Sequence, residues 1–247
     1  MRRMIINEKF NGDSPFSAFI TNLGKYNAGE LVGEWVSFPT TYEEIQQAFK
    51  RIDIDGVRYE EFFITDYDDN AGNLCSSFGE YESLDELNYL AGKIAELNEW
   101  DLETFLAALE LGEYSGTVKN LINLTDNLDN YEVYADIENY YDLGYYYINE
   151  SGIYDVDSMG TLGNYIDYEA FGRDIAMDES GDFTSHGYVV GGKDTFREYY
   201  NGDHDIPEEY LVTAKPKDVE LDAARVNTER RLPERNKLEQ GYTEFER

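Results

Sequence analysis

The chain has 247 residues, of which 52 are Asp or Glu and 20 are Lys or Arg, and its formal net charge is −32. With 41% hydrophobic and 15% aromatic residues, it carries too much apolar surface for an acidic disordered polymer, so we expect it to fold. The single cysteine, Cys75, excludes an intramolecular disulfide framework. No stretch approaches about 18 consecutive apolar residues, and the first residues lack the apolar run of a signal peptide. We therefore expect a cytoplasmic protein without a membrane span.

The negative charge is concentrated in the body of the chain. Residues 16–213 hold 42 acidic and nine basic residues, whereas residues 214–247 hold eight of each. Between Tyr59 and Gly172, 26 carboxylates are opposed only by Lys93 and Lys119. Opposite charges three or four residues apart on a helix would add about 0.2–0.5 kcal/mol per pair, and like charges cost a similar amount. The sequence therefore lacks the local ion pairs that would stabilise its helices. This indicates that the negative charge is needed to bind a partner.

The predicted functional surface is a distributed set of carboxylates in which no single member is essential. It comprises Asp85, Glu86, Glu96, Glu99, Asp101, Glu103, Asp126, Asp129, Glu132, Asp136, Glu138 and Asp142. Duplex DNA presents one negative charge per roughly 1.7 Å of axis, so the excess of 33 acids over residues 16–213 corresponds to about 50–60 Å of duplex. This density predicts that the protein imitates the charge of DNA.

The first predicted module, residues 16–78, mixes strands and a helix. Strand-like runs at 16–23 and 31–36 flank a turn that contains Asn and Gly, which predicts a hairpin. A capping box that begins at Thr41 opens a helix with an apolar face. A third strand is expected at 59–66.

The second predicted module, residues 79–125, is helical. A capping box that begins at Ser83 opens a helix with apolar residues at helical spacing. Another helix is expected from Asp101 to Leu111, ending at Gly112 because glycine is the usual residue after a helix end. A short amphipathic piece follows at 118–124.

The third predicted module, residues 126–213, is again α+β. It contains a helix expected at 162–177 and an apolar strand expected at 183–190. An N-terminal extension, residues 1–15, precedes the modules, and a charged tail, residues 214–247, follows them with at most a loosely attached helix. The predicted fold is therefore α+β, an elongated chain of three small domains.

Two separated segments resemble one known family. The run 26–36, YNAGELVGEWV, followed by 62–67, FFITDY, resembles the opening module of the ArdA-type antirestriction proteins, and 162–174, LGNYIDYEAFGRD, is similar to that family's C-terminal signature. The resemblance covers roughly residues 16–200. It implies a curved, elongated protein of three small domains, usually a homodimer.

The resemblance also implies a function. Proteins of this family mimic bent B-form DNA and occupy the DNA-binding groove of type I restriction-modification enzymes, and mobile genetic elements carry them into new hosts. The implied partner is therefore an enzyme, and neither nucleic acid nor a membrane. The resemblance implies no cofactor and no metal.

The run Asp66–Gly72 resembles the start of a calcium-binding loop. Such a loop needs glycine at its sixth position and glutamate at its twelfth. Here those positions are Ala71 and Ser77, so a solvated turn after a strand is the better interpretation.

Catalytic interpretations are weaker than the binding interpretation. Cys75 with His186 or His204 lacks any local nucleophile signature. A carboxylate-based hydrolase could use two acids beside Trp35 or Trp100, but a pair is easily found where acids are this frequent. The chain is therefore expected not to be an enzyme. An acidic chaperone for a basic protein and a salt-adapted surface remain the alternatives.

Overall fold

The computed structural model describes residues 14–192 and 195–214. Within these ranges the chain is an α+β protein with two three-stranded antiparallel sheets, which confirms the predicted fold class. No helix in the described ranges is long and apolar enough to span a membrane. Most of the predicted N-terminal extension and of the charged tail, with the helix expected there, lies outside the described residues.

The first sheet contains the predicted hairpin and the third strand. Its strands are β1 (Phe16–Asn22), β2 (Gly33–Phe38) and β3 (Phe62–Asp69), in the order β2-β1-β3. The hairpin connection begins as a one-turn helix, α1 (Leu23–Asn27), because the Asn22 side chain caps it by accepting from the Lys25 N–H. The third strand begins and ends three residues later than the sequence predicted.

Helix α2 (Tyr42–Arg51) begins where the sequence predicted it. The Thr41 hydroxyl accepts from the Glu44 N–H at 3.3 Å, and the Glu44 carboxylate accepts from the Thr41 N–H at 3.1 Å. This reciprocal capping box satisfies backbone donors that the first turn leaves unpaired. Ile45 and Ala48 on its apolar face are buried in the core beside the first sheet.

The middle of the chain is helical, as predicted. It contains α3 (Leu84–Glu96), α4 (Glu99–Leu111) and α5 (Val118–Leu124). The Ser83 hydroxyl caps α3 by accepting from a backbone N–H in its first turn. At the end of α4, Gly112 takes the left-handed conformation that terminates many helices.

The second sheet shows that one predicted strand was wrong. Its strands are β4 (Glu132–Tyr134), β5 (Asp182–Thr184) and β6 (Gly187–Val190), in the order β4-β6-β5. The apolar run 183–190 is therefore two strands of a hairpin. The chain reverses before Gly187, whose φ of 112° is accessible to glycine but rarely to other residues.

The helix predicted at 162–177 begins later than expected. The helical pieces of this region are α6 (Tyr140–Tyr145), a π-helical turn at Tyr146–Glu150, a 3-10 segment at Val156–Tyr165 and α7 (Tyr168–Glu179). The side chain of Asp167 accepts from the Ala170 N–H and caps α7. Because that cap interrupts the helical pattern, residues 162–165 belong to the separate 3-10 segment. Shorter 3-10 turns occur at Leu74–Ser77, Leu128–Asn130, Asp203–Asp205 and Glu208–Tyr210.

Helices α6 and α7 cross at two glycines. A Cβ atom on Gly144 would lie 1.9 Å from the Tyr168 carbonyl oxygen, and one on Gly172 would lie 1.9 Å from the Tyr140 carbonyl oxygen. Real Cβ atoms do not approach backbone this closely, so any larger residue would push the helices apart. The contact fixes how the two helices pack over the second sheet.

Buried apolar residues form two clusters. The larger one runs without a break through the first sheet, the middle helices and residues 196–212, and it reaches Tyr131 and Val189 of the third predicted module. The smaller one is built on Ile137, Leu143, Ala176 and Tyr188. The first two predicted modules therefore share one core, and the division into three domains stays a prediction.

Residues 195–214, called the strap here, return to the middle helices after the second sheet. Buried amides on α5 and just after it hold the strap backbone. The Asn123 amide donates to the Tyr200 carbonyl and accepts from the Tyr200 N–H, both at 2.9 Å. Asn127 makes the same pair of bonds to the backbone of Arg197, again at 2.9 Å each. These amides act on the strap as a neighbouring strand would.

The strap also contributes side chains to the main core. Tyr200, Ile206 and Val212 are buried there. The ring of Tyr210 lies over Gly92 of α3, where a Cβ would be 2.0 Å from the ring. The strap is therefore an integral part of the fold.

Replacing Asn123 with alanine is expected to lower the free energy of unfolding by about 2–4 kcal/mol. The change leaves the buried N–H and C=O of Tyr200 without partners, and each such group costs about 1–3 kcal/mol. Urea unfolding followed by circular dichroism measures this loss. The exposed Asn164→Ala is the control, expected to change stability by less than about 0.5 kcal/mol. Equal effects in both variants would contradict the role given to Asn123.

Candidate functional site

Two of the predicted surface carboxylates hold the strap. Asp85 accepts from the Val212 and Thr213 N–H groups at 2.6 and 2.9 Å, and from the Thr213 hydroxyl at 2.5 Å. Glu86 accepts from the Tyr200 hydroxyl at 2.6 Å. Burial, and then the adjacent Glu86 carboxylate, raises the pKa of Tyr200, so the phenol stays protonated and keeps donating. Both carboxylates are half-buried and occupied by these bonds.

Three further predicted carboxylates meet around one lysine. Glu96, Asp101 and Asp126 line a cleft of about 240 Å³ together with Lys93. The Lys93 ammonium donates to Asp126 at 2.6 Å, and its side chain is largely buried. The cleft is therefore acidic, and Lys93, the one basic residue among the described residues that line it, is already paired with Asp126.

Two carboxylates of α4 hold the turn between β5 and β6. Glu103, a predicted surface residue, lies 2.8 Å from the His186 Nδ1 atom. Glu110, which the sequence analysis did not single out, accepts from the Ser185 hydroxyl at 2.6 Å and from the Ser185 N–H at 3.0 Å. The Ser185 hydroxyl is the main cause of a lowered Glu110 pKa, assisted by the Ser185 N–H and His186. These contacts tie the middle helices to the second sheet.

The last four predicted carboxylates lie between β4 and the start of α6. Glu132 accepts from the Tyr134 hydroxyl at 3.0 Å, and Asp142 accepts from the Asn139 amide at 2.6 Å in the first turn of α6. Asp136 and Glu138 are exposed. Asp136 and Asp142 line one cavity of about 320 Å³, whose walls also include tyrosines and Glu150.

Several predicted carboxylates are left facing water. Within the described ranges, Glu99, Asp129, Asp136 and Glu138 are exposed, and their carboxylates make no ion pair there. They lie at the start of α4, in the 3-10 turn before β4 and in the loop after β4. The charge at these positions is available to a partner.

Both basic residues of the acidic stretch are already neutralised by carboxylates. Lys93 pairs with Asp126, and Lys119 pairs with Glu198 of the strap at 2.8 Å. Neither lysine therefore offers a free positive charge to offset the exposed acids around it. Arg197 of the strap, whose backbone is held by Asn127, is an exposed cation beside this stretch, so the surface here is predominantly negative.

Residues considered for catalysis have other roles here. Burial, and then the nearby Asp69, raises the pKa of the Cys75 thiol, so the thiolate needed for nucleophilic attack is not formed at neutral pH. His186 faces Glu103, and His204 lies 3.4 Å from Asp205. These contacts give Cys75 and the histidines local partners of their own.

The run Asp66–Gly72, which resembles the start of a calcium-binding loop, ends in a turn held by hydrogen bonds from backbone N–H groups to Asp69. Asp69 accepts from the Ala71 and Cys75 N–H groups at 2.8 Å each, which shapes the turn after β3. Among the described residues, no group of three or more His, Cys, Asp or Glu side chains is placed to hold a metal ion.

The strap carries exposed carboxylates that the sequence analysis did not include in the surface. They are Glu198, Asp203, Asp205, Glu208 and Glu209. Tyr200, Val212 and Thr213 of the strap contact Glu86 and Asp85, so the strap adds its own acids to the side of the molecule on which those two carboxylates lie. A signal was present in the acid-rich run 203–209, but only the docking of the strap places it beside the middle helices.

The family model of the antirestriction protein ArdA matches residues 18–190, which is more than half of the chain. The match includes both sheets and the helices between them, and the strap follows it. No curated protein matches the chain. On the family match, the chain is a member of the ArdA family of antirestriction proteins.

Proposed function

We propose that this protein imitates B-form DNA and inhibits type I restriction-modification enzymes by competing with DNA in the cytoplasm of the host cell. Membership of an antirestriction family supports the inhibitory role. The observation that carries the mechanism is the set of exposed carboxylates without ion pairs, in a stretch whose two lysines are both neutralised.

In this mechanism carboxylates stand in for phosphates. An enzyme that binds DNA holds the phosphates with Lys and Arg side chains, and those cations attract any surface with a similar density of negative charge. Each exposed ion pair contributes little, about 0.2–1 kcal/mol, so affinity comes from many pairs together. No catalytic group and no cofactor is required.

Competition for DNA is the direct test of this proposal. At low salt, an excess of the protein is expected to block both DNA binding and DNA cleavage by a type I restriction-modification enzyme. Inhibitor titration against a labelled duplex, followed by a cleavage assay, measures the two effects. Unchanged binding and cleavage at saturating protein would remove the proposal.

The exposed carboxylates should act together in this competition. Single neutralisation of Glu99, Asp129, Asp136 or Glu138 is expected to weaken inhibition less than about fivefold, and neutralisation of all four about tenfold or more. Exchanging Asp for Glu and Glu for Asp at the same positions keeps the charge and serves as the matched control. A single neutralisation that abolished inhibition would indicate a catalytic group instead.

Salt should act on binding and on folding in opposite directions. Affinity for the enzyme is expected to fall with salt, with a log–log slope shallower than about −0.9 per phosphate of DNA, because a protein surface condenses fewer counterions than a duplex. Stability should rise, because screening weakens the repulsion among the carboxylates. Enzyme binding and thermal melting between about 20 and 500 mM NaCl measure both trends. Binding that is indifferent to salt would contradict charge imitation.

We further propose that the protein is a homodimer, which would double the length of imitated duplex. The 3-10 segment before α7 exposes Leu162 and Tyr165 to water, and Ile153 and Met177 are exposed as well. Contact with a second copy would remove these apolar side chains from water, and the loss of that exposed area would favour association.

Analytical ultracentrifugation is expected to show a dimer at micromolar concentration. Leu162→Asp should shift the equilibrium toward monomer, because it would place a charge in the contact. Val57→Asp, at an exposed apolar position of the first module, is the control and should leave the dimer intact. A wild-type chain that stays monomeric would exclude the dimer.

A further inference from the structure

One face of the first sheet carries aromatic residues where polar ones are expected. Side chains alternate along a strand, so Phe16, Ala18 and Ile20 of β1 enter the main core beside α2, and Ser17, Phe19 and Thr21 lie on the opposite face. In an antiparallel sheet with one covered face, the other face is usually solvated and polar. Here Ser17 follows this rule and Phe19 departs from it, whereas Thr21 is fully buried, so this face is open to water only toward Ser17 and Phe19.

Five aromatic side chains lie on or beside this face, in two contacting groups. Phe19 is directly opposite Trp35 of β2, and their rings meet edge to face at 5.3 Å between centroids. Phe63 is directly opposite Thr21, and its ring lies 5.1 Å from that of Tyr26 and 6.3 Å from that of Tyr81. We call these five residues the open aromatic face.

The outer members of this face are accessible. Tyr81 is 72% exposed, Tyr26 is 51% exposed and Trp35 is 46% exposed, whereas Phe63 between the tyrosines is only 6% exposed. None of the five belongs to either buried cluster of the described residues. The five side chains are therefore not part of the buried core, and the rings of Tyr81, Tyr26 and Trp35 keep large surfaces in water.

Aromatic ring surface left in water forgoes the free energy that its burial would give. Tryptophan and tyrosine that remain exposed together are typical of contact surfaces, and they supply a large share of the affinity at protein interfaces. DNA imitation by charge does not require them, because phosphates are imitated by carboxylates alone. The open aromatic face therefore requires a second kind of contact.

Charge beside the rings indicates the chemistry of the partner. Asp66 of β3 is directly opposite Phe19, and Asp68 is directly opposite Ser17, so both carboxylates share the face with the rings. Both are exposed. A guanidinium group fits this combination, because its plane stacks on an aromatic ring while its N–H groups donate to carboxylates.

We infer that the open aromatic face is a docking surface for arginine side chains on the protein that the acidic surface binds. The inference rests on the proposed function, in which that protein is a type I restriction-modification enzyme whose DNA-binding surface is rich in cations. The face adds stacking and apolar contact to the charge contacts. It lets the mimic hold arginines in a way that the phosphate backbone of DNA cannot.

The two kinds of contact differ in their response to salt. Ion pairs with condensed counterions weaken steeply as salt rises, whereas burial of aromatic surface does not. Loss of the face should therefore lower affinity by a similar factor at every salt concentration. Loss of surface carboxylates should instead make the salt dependence shallower.

The test compares Trp35→Ala and Tyr81→Ala with the wild-type chain in binding to a type I restriction-modification enzyme across a salt series. Each variant is expected to lose about tenfold or more in affinity at each salt concentration, with an unchanged log–log slope. Val57→Ala, at an exposed apolar position outside the face, is the matched control and should bind like wild type. Tyr81 is largely exposed, so its variant tests the surface even if Trp35→Ala unfolds, which thermal melting reports.

Three outcomes would overturn the inference. In the first, wild type binds the enzyme and Tyr81→Ala, together with any folded Trp35→Ala, binds equally well, which leaves the proposed function intact. In the second, a variant loses affinity only through a changed salt slope, which assigns its effect to charge. In the third, the variants dissociate a dimer, which assigns the face to a second copy of the chain. Wild type that does not bind the enzyme at all would remove the proposed function together with the inference.

Discussion

Repulsion between like charges is the constraint under which this chain folds. With 42 acids and nine bases between residues 16 and 213, ion pairs cannot be the main ties between elements. Beside the ion pairs Lys93–Asp126 and Lys119–Glu198, neutral amides join distant segments. Asn123 and Asn127 bond the strap backbone, and Asn88 accepts from the Thr40 N–H at 2.7 Å and donates to the Tyr210 carbonyl at 2.9 Å. Hydrogen bonds between neutral groups change little in strength with salt, and they leave the surface carboxylates unpaired.

The carboxylates themselves divide into two groups by their partners. Asp85, Glu86, Glu103 and Glu110 make hydrogen bonds with distant parts of the chain, and so they contribute to folding. For Glu110, the hydrogen bonds from Ser185 lower the pKa, because they favour the charged form. The same residue can therefore stabilise the fold and add to the field that a cationic partner meets. The second group comprises the exposed acids without ion pairs, which contribute negative charge to the surface but make no such contacts among the described residues.

Rigid packing is what makes a charge pattern recognisable. The strap is locked on α3 and α5 by buried amides and by the Tyr210 ring over Gly92, and α6 meets α7 at the Gly144 and Gly172 contact. If the protein imitates DNA as proposed, charges held in place favour binding, since ordering mobile side chains costs conformational entropy. Three rings of the open aromatic face, those of Phe19, Trp35 and Phe63, are carried by strands of the first sheet.

The sequence by itself determined the fold class, the family and those elements whose signals are local. The capping box at Thr41 and the stop at Gly112 are set by residues within four positions of one another, so α2 and the end of α4 could be predicted. The reversal inside 183–190 could not be predicted, because a run of apolar residues has the same pattern whether it forms one buried strand or two. Nor could the sequence tell which acids accept hydrogen bonds from distant residues. Glu86 accepts from Tyr200, 114 residues away, and Asp85 accepts from the strap backbone, 127 residues away. Only the tertiary structure decides such partners, because side chains become neighbours through packing of distant segments, which local spacing does not encode.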